Sequence, residues 1–510
     1  MSFEPLLRGK LPKPLPGDGA DGEKQETTGK WGVTTICGWA MVCYPWSHKV
    51  ANQRVGVREK PMLEIDDADI LPVAMEHNFW TWSAQSRVNP IPVKRAKGVY
   101  FWDVNDKRYL DFNSMTMCVN IGHGDERVIE AIVRQARELP YAAPGMATRP
   151  RAELGRLLAE ICPAGLTKYL YTLGGADANE NAIKLARATT GRFKILARYR
   201  SYHGASYGVI AATGDPRRLM WEPMVMPGVV HFLDPYRYRS TFHRTNPGLE
   251  ESEFTQDYLN HLEEIIQFEG PDTIAAVMLE SVTGTNGILI PPKGYMQGVR
   301  KICDRHGILL ICDEVMSGFG RTGKWFAVNH WDVIPDIMTM AKGLTSAYAP
   351  LGCVAMKPEV AATFNDKVFE GGLTYNGHPI SLAAAVANIQ VMQEDRLVER
   401  AAETGQVLAD MLAELQDRHP SVGEVRSIGL FGVIELVRDR KSREPMAPYG
   451  GSSSEMAALK KAMLEKGLYI YTHWHTLLII PPLIITPEEL AEGFSVIDQS
   501  LEITDKAAKS

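Results

Sequence analysis

The chain has 510 residues, 45% of them hydrophobic and 23% charged, with Asp+Glu 61 against Lys+Arg 55 and a net charge of −6. That composition suits a folded globular protein with room for two or three packed units, and the acidic balance argues against a basic nucleic-acid-binding face. The seven cysteines form no CxxC pair and no metal-ligand spacing, so they fit buried thiols in a reducing, cytoplasmic compartment better than a disulfide framework or a metal module.

Residues 1–60 read as an N-terminal extension. Residues 11–30 are rich in Pro, Gly, Lys and Glu, a disordered composition. Val33–Trp46 is apolar, but it is too short to span a membrane and is broken by Gly38 and Pro45. It also lies too far from the start for an ordinary signal peptide. Met62 is a candidate internal start, and the extension is expected to be dispensable.

Residues 61–110 are expected to join a smaller domain. Within them Gly98–Asp103 and Arg108–Asp111 predict a hairpin around the turn pair Asn105-Asp106. Asp125–Leu139 has helical apolar spacing at Val128, Ile129, Ile132, Val133 and Ala136. Short apolar runs then alternate with helical stretches. The predicted strands are Tyr169–Thr172, Ile195–Tyr199, Val229–Phe232, Ile274–Leu279, Ile308–Cys312, Ile337–Met340 and Leu351–Met356. The helices include Ala178–Ala188, ended by Gly191, and Tyr295–His306, ended by Gly307. This alternation predicts an α/β fold over 111–380, a mostly parallel sheet covered on both faces. Helices at Ser381–Gln393 and Leu397–Gln416, then strand-like runs at Gly429–Val437, Leu468–Tyr471 and Leu477–Ile480, predict a smaller C-terminal α/β domain over 381–510.

The chemistry concentrates at predicted strand ends, where open α/β sheets bind ligands. Lys342 follows Ile337–Met340, and Asp313 closes the run Ile308–Cys312. A lysine that forms Schiff bases and a carboxylate for a ring nitrogen are the groups a pyridoxal cofactor needs. Gly174-Gly175-Ala176 opens a helix after the first strand of the alternation, where free N–H groups and the helix dipole favour an anion. Tyr202 could stack on a flat ring, and Glu280 adds a second carboxylate. Gly318-Phe319-Gly320-Arg321-Thr322-Gly323-Lys324 fits the start of a P-loop. Trp325 stands where Ser or Thr is required and no helical pattern follows, so that reading is rejected.

From about residue 80 to 500 the chain resembles the class III (subgroup II) pyridoxal-phosphate-dependent aminotransferases of fold type I. The likeness rests on Gly-Gly-Ala-Asp-Ala-Asn-Glu at 174–180, Tyr202-His203-Gly204, and Leu310–Val315 leading to Gly318–Gly323. It continues through Lys342-Gly343-Leu344-Thr345, Pro350-Leu351-Gly352, Thr374–Pro379 and Pro481–Ile485. The resemblance implies a central seven-stranded sheet and pyridoxal 5'-phosphate as cofactor. It implies that Lys342 holds the cofactor and relays the proton, that Asp313 pairs with the ring nitrogen, and that Val315 and Tyr202 cover the two ring faces. Gly175 and Ala176 would give backbone donors to the phosphate, with His203 and Glu280 completing the site. Thr374 would reach the phosphate of a partner subunit, implying an obligate homodimer or a dimer-based tetramer.

Four departures matter. Ala176 replaces the serine common in relatives, and Ser281 follows Glu280 where proline is common. Tyr471 occupies the place of a mobile arginine that binds the substrate carboxylate in many ω-transaminases. Met117 stands where relatives place a pocket tryptophan. The branch most resembled is that of taurine and ω-amino acid:pyruvate transaminases, with an amine donor and a 2-oxo acid acceptor such as pyruvate or 2-oxoglutarate. Arg200 or Arg321 is then the candidate partner for the acceptor's charge. No metal, nucleic acid or membrane partner is expected, since His473 and His475 lack a third ligand nearby. The alternatives are a class III isomerase (aminomutase or amino-acid epimerase) and a non-catalytic cofactor-binding protein.

Overall fold

The computed structural model describes residues 65–240, 242 and 248–509; the extension at 1–60, Val33–Trp46 and Met62 lie outside them. The N-terminal hairpin follows its turn chemistry. β1 (Val93–Lys97) pairs antiparallel with β2 (Tyr100–Asp103), and β2 with β3 (Arg108–Asp111). Asp106 sits in the left-handed region at φ 58°, which Asp and Asn tolerate because their short polar side chains bond locally. Asp103 Oδ1 accepts the N–H groups of Asn105 and Lys107 at 2.9 and 3.0 Å, which fixes the turn.

The seven apolar runs form one sheet: β4 (Lys168–Thr172), β5 (Lys194–Arg198), β6 (Val229–Phe232), β7 (Ile274–Glu280), β8 (Leu309–Asp313), β9 (Ile337–Met340) and β10 (Gly352–Met356). Their order is β4-β10-β9-β8-β7-β5-β6. Strands β6, β5, β7, β8 and β9 pair in parallel, while β10 runs antiparallel to both β9 and β4. The helices Gly175–Thr190 and Tyr295–His306 end at Gly191 and Gly307, both left-handed at φ 69° and 61°, as their sequence predicts.

Strand β7 shows why the sheet reads as continuous apolar sequence: every residue from Ile274 to Glu280 is buried. Successive side chains alternate between faces. Ala276 and Met278 pack with Ala182 and Ala186 of the helix Gly175–Thr190. Val277 and Leu279 join the larger core that holds Phe254, Leu262, Met296 and Val299 of the opposite helices. A strand covered on both faces has no polar side to show. Each fully buried Val, Leu or Met contributes roughly 1.5–3 kcal/mol. By the same alternation Glu280 shares the face of Met278, and Asp313 that of Ile311, so both carboxylates emerge on the side of the helix Gly175–Thr190.

The C-terminal part holds the helices Pro379–Glu394 and Leu397–Arg418, then β11 (Val422–Ile428), β12 (Phe431–Asp439), β13 (Glu444–Pro445), β14 (Leu468–Tyr469), β15 (Tyr471–His473) and β16 (Thr476–Ile479). An antiparallel sheet runs β11-β12-β16-β15, with β13 beside β12. The single run predicted at Leu468–Tyr471 divides at Ile470. β14 pairs parallel with β3, joining the N-terminal hairpin, whereas β15 pairs with β16.

Buried Glu435 on β12 ties this sheet to the segment after β6. It accepts from Arg239 and Tyr236, from Arg426 Nη1 and Nη2 at 3.2 Å, and meets His475 Nε2 at 3.3 Å. Burial pushes its carboxyl pKa up, but His475, Arg426 and Arg239 outweigh burial and hold it well below the usual range. A depressed folded pKa stabilises the protein above the unfolded pKa of roughly 4.3, and that contribution is lost as pH falls through the folded value. Glu435→Ala is therefore expected to cost about 3–5 kcal/mol at pH 7. Denaturant melts should show the gap to the parent chain narrowing in acid, below about pH 4. A gap that widens in acid would contradict this.

Candidate active site

The parallel strand ends place three polar residues in line. Register pairs Glu280 with Asp313 and Asp313 with Thr339 across β7, β8 and β9. Asp313 is buried, and its carboxylate is fixed on both oxygens. Oδ1 accepts the Val315 N–H at 2.9 Å, and Oδ2 accepts from Asn179 Nδ2 and meets His203 Nδ1, both at 2.8 Å. Asn179 is oriented in turn, accepting from Thr339 Oγ1 at 2.6 Å and donating to His203 O at 2.7 Å. Neither Asn179 nor Thr339 ends an apolar run with a charged group, so neither stands out in the sequence. The available signal was spacing: Asn179 lies four residues past Gly175, on the same helix face.

Lys342 opens the short turn after β9 and adopts φ 44°. A lysine in the left-handed region carries about 1–3 kcal/mol of strain, a cost that clusters at functional sites. Ser346 and Ala347 beside it, and Ser114, Met115 and Met117 in a neighbouring segment, are also at positive φ. Burial pulls the Lys342 ammonium below its ordinary range, opposed by Cys118, Asp313 and Glu280. A lowered pKa makes the neutral, nucleophilic amine available. Lys357, by contrast, is tied to Asp336 at 2.7 Å, at the other end of β9.

The helix start is shaped for an anion. Gly174 provides no side-chain cap to the helix Gly175–Thr190, so its first N–H groups face outward with the positive end of the dipole. A Cβ on Gly175 would come within 2.9 Å of Val315 Cγ1, which explains glycine there: Val315 needs that space. Ala176 adjoins Gly204, whose added Cβ would meet Ala176 Cβ at 2.7 Å.

Tyr202 is placed by the second carboxylate. Its N–H donates to Glu280 Oε1 at 3.0 Å, and Glu280 Oε2 accepts from Gly284 N–H at 2.7 Å, so Glu280 fixes the tyrosine through its backbone. The Arg217 guanidinium lies 3.9 Å from the Tyr202 ring centroid, with Trp82 at 5.9 Å. Asp215 holds Arg217, accepting from Nε at 2.9 Å, and Nη2 donates to Thr285 Oγ1 at 2.9 Å. Arg217 also acts electrostatically on Tyr471 and Lys342. Tyr471 reaches His473 Nδ1 at 3.3 Å.

Several expected pocket residues lie elsewhere. Arg321 is corrected outright. It is 1% exposed and spends its guanidinium on Leu430 O, Pro481 O, Ser114 Oγ and Asn120 Oδ1 at 2.5–3.2 Å. It clamps the glycine loop to the C-terminal part, with both terminal nitrogens spent on these protein partners. The loop itself is fastened by buried Glu314, which accepts from Ser317 Oγ, Ala327 N–H and Val328 N–H. Arg200 is also corrected, because its guanidinium lies between Tyr236 and Tyr449 in a neighbouring cavity. Met117 is buried against Val282, Ile288 and Phe431, with Tyr471 packed on the same cluster. Thr374 lies on an exposed loop, its carbonyl accepting from Tyr141 at 2.8 Å.

Comparison with known proteins decides the family. The profile described as aminotransferase class-III matches residues 81–501. The chain belongs to the class-III aminotransferases. A solved taurine:2-oxoglutarate aminotransferase from Bifidobacterium kashiwanohense, in complex with PLP and glutamate, is 41% identical, with a TM-score of 0.84 over 87% of this chain and 99% of that one. A taurine–pyruvate aminotransferase of Bilophila wadsworthia is 33% identical over 86% of this chain and 98% of its own length. An isoleucine 2-epimerase of Lentilactobacillus buchneri is 34% identical over 86% and 96%.

The aminotransferase is thus a pyridoxal-phosphate-dependent enzyme with the fold expected of the family. Its residues fit the cofactor. The uncapped helix start at Gly175-Ala176 suits the phosphate, the thrice-bonded Asp313 suits a ring nitrogen, and buried Lys342 suits the carbonyl. When bound, the cofactor supplies an electron sink for charge developing at the substrate carbon. The chain's own residues would aim the Asp313 carboxylate through Val315, Asn179 and His203, and the buried Lys342 amine would take and return a proton.

Proposed function

We propose that this aminotransferase moves an amino group from an ω-amino acid or amine, such as taurine or β-alanine, to a 2-oxo acid such as pyruvate or 2-oxoglutarate. The carrying observation is Arg217, a cation held by Asp215 and Thr285 with its guanidinium 3.9 Å from the Tyr202 ring centroid. Tyr471, where many ω-transaminases have a mobile arginine, leaves Arg217 to meet the acid of either substrate. An acid group far from the amine suits a cation held to one side. The 2-oxo acid's carboxylate, borne on its reacting carbon, must reach the same cation, because an unpaired carboxylate is costly to bury.

Arg217→Gln is expected to lower kcat/KM for taurine and for the 2-oxo acid by about 10–150-fold, mostly through KM, because a charge-assisted contact is worth about 1.5–3 kcal/mol. An uncharged aryl amine should change far less as donor. Equal losses for charged and uncharged donors would sink the assignment. So would an α-amino acid that is the best donor by about tenfold, roughly 1.4 kcal/mol.

The epimerase relative supports a second reading, an isomerase that retains the amino group on its own substrate. Dependence of product formation on a 2-oxo acid separates the two.

The enzyme is further proposed to be a cytoplasmic homodimer. Cys118, Cys162, Cys303, Cys312 and Cys353 are free thiols, and among the described residues no helix is long and apolar enough to cross a membrane. Thr374 sits among exposed apolar neighbours, with Leu373 and Tyr375 49% and 57% exposed, as a surface awaiting a partner would be. If Thr374 contacts the partner's phosphate, cofactor must stabilise the dimer by mass action. Sedimentation should show the dimer dissociating at higher protein concentration when cofactor is removed. A fully active, cofactor-loaded monomer would contradict it.

A further inference from the structure

The turn that aims Arg217 at Tyr202 also walls a second cavity of about 600 Å3, through Gly214, Pro216 and Arg218. Lys342, Asp313, Tyr202 and Arg217 do not line it. Among the described residues its lining carries three arginines, Arg200, Arg218 and Arg239, against one acid, Asp234.

Two of these arginines are committed. Arg218 donates to Asp215 O at 3.3 Å and meets Glu222 Oε1 at 3.3 Å, and Arg239 pairs with buried Glu435. Arg200 differs. Tyr236 and Tyr449 lie 5.1 and 4.8 Å from its guanidinium carbon. No described residue accepts a hydrogen bond from that guanidinium; the arginine's bond to Asp234 runs through its backbone N–H, at 2.8 Å. Asp234 Oδ1 faces Arg198 Nε instead, at 3.7 Å. Aromatic rings satisfy a guanidinium's charge in part and none of its five N–H donors. The rest of the wall is largely apolar or aromatic, including Leu219, Leu233 and Tyr258.

We propose that this cavity is a second ligand site, separate from the reacting crevice, that takes a small organic acid. Its carboxylate or sulfonate would lie on Arg200 and its body against Leu219, Leu233 and Tyr258. The forked donors of a planar guanidinium match either acid with two parallel bonds, and an apolar wall with a cation that no described residue hydrogen-bonds is how small-molecule sites combine affinity with orientation.

Calorimetric titration of the cofactor-loaded enzyme with benzoate, and separately with benzenesulfonate, tests this, with benzyl alcohol as the uncharged control. At least one acid should bind saturably, and Arg200→Gln should weaken it about tenfold or more. Arg200→Lys, which keeps the charge without the fork, should weaken it less. Leu219 is 54% exposed, so Leu219→Glu adds a competing carboxylate at the rim without burying it. That variant should also weaken binding, which keeps the proposal testable if the Arg200 variants misfold. Arg217→Gln should leave the affinity within about twofold. The proposal is overturned if neither acid binds saturably or if benzyl alcohol binds as tightly. It is equally overturned if Arg217→Gln abolishes binding while Leu219→Glu spares it, which would place the anion in the crevice.

Discussion

Lys342→Ala is expected to abolish turnover while leaving the fold intact. Positioned acid–base groups contribute on the order of 10²–10⁴-fold, and this amine would also anchor the cofactor, so the loss should be at least that large. Folding should not suffer, because the substitution removes a buried amine whose burial already opposes its charge. Backbone strain gives a second, independent readout. Lys342 sits at φ 44°, a region that glycine enters without a steric penalty. Lys342→Gly should therefore be as inactive as Lys342→Ala but more stable, by roughly 0.4–1 kcal/mol or more. Borohydride reduction of the parent enzyme should leave a pyridoxyl group on the Lys342 peptide. A label on Lys324 or Lys357 would overturn the assignment.

Asp313→Asn is the second large effect. The carboxylate would hold positive charge on the cofactor's ring nitrogen. Opposite charges about 4 Å apart gain roughly 4 kcal/mol at an effective dielectric near 20, or about 10³-fold in rate if all of it acts in the transition state. Asparagine keeps the shape but not the hydrogen-bond pattern. Asp313 accepts from Val315 N–H, Asn179 Nδ2 and His203 Nδ1, and an amide must present a donor to one of these sides. His203 can turn its Nδ1 into an acceptor by changing tautomer, but Asn179 Nδ2 and Val315 N–H cannot. The variant should thus lose about 1–3 kcal/mol of stability from one unsatisfied buried contact, with turnover down about a thousandfold. A kcat near that of the parent enzyme would refute the electrostatic role.

What was legible in the sequence, and what was not, follows from burial. The seven central strands were placed to within about a residue because strands covered on both faces must be apolar throughout. β11 escaped notice because Val422-Gly423-Glu424-Val425-Arg426-Ser427-Ile428 mixes a glycine and two charges into a half-buried strand. The run Leu468–Tyr471 hid a change of sheet at Ile470, which only pairing with β3 on one side and β16 on the other reveals.

The site divides the same way. Lys342, Asp313 and Glu280 were visible because a polar residue ending an apolar run marks the sheet's carboxyl edge. The cation facing Tyr202 was not. Arg200, Arg217, Arg218 and Arg321 are all close to recognisable motifs, and composition cannot say which side of a turn each takes. Asp215 decides it: its side chain caps the turn at Pro216–Arg218 and pairs with Arg217, sending that arginine to Tyr202 and leaving Arg218 in the neighbouring cavity.

The central claim is that the amino group leaves one molecule and arrives on another. The direct measurement incubates the cofactor-loaded enzyme with ¹⁵N-labelled taurine or β-alanine and an unlabelled 2-oxo acid, and follows the label by mass spectrometry. ¹⁵N is expected in the 2-amino acid formed from the oxo acid, in equal amount to the aldehyde left by the donor, with no product formed in the absence of the oxo acid. Label that stays on the donor skeleton in an isomerised product, at a rate indifferent to the oxo acid, would contradict it.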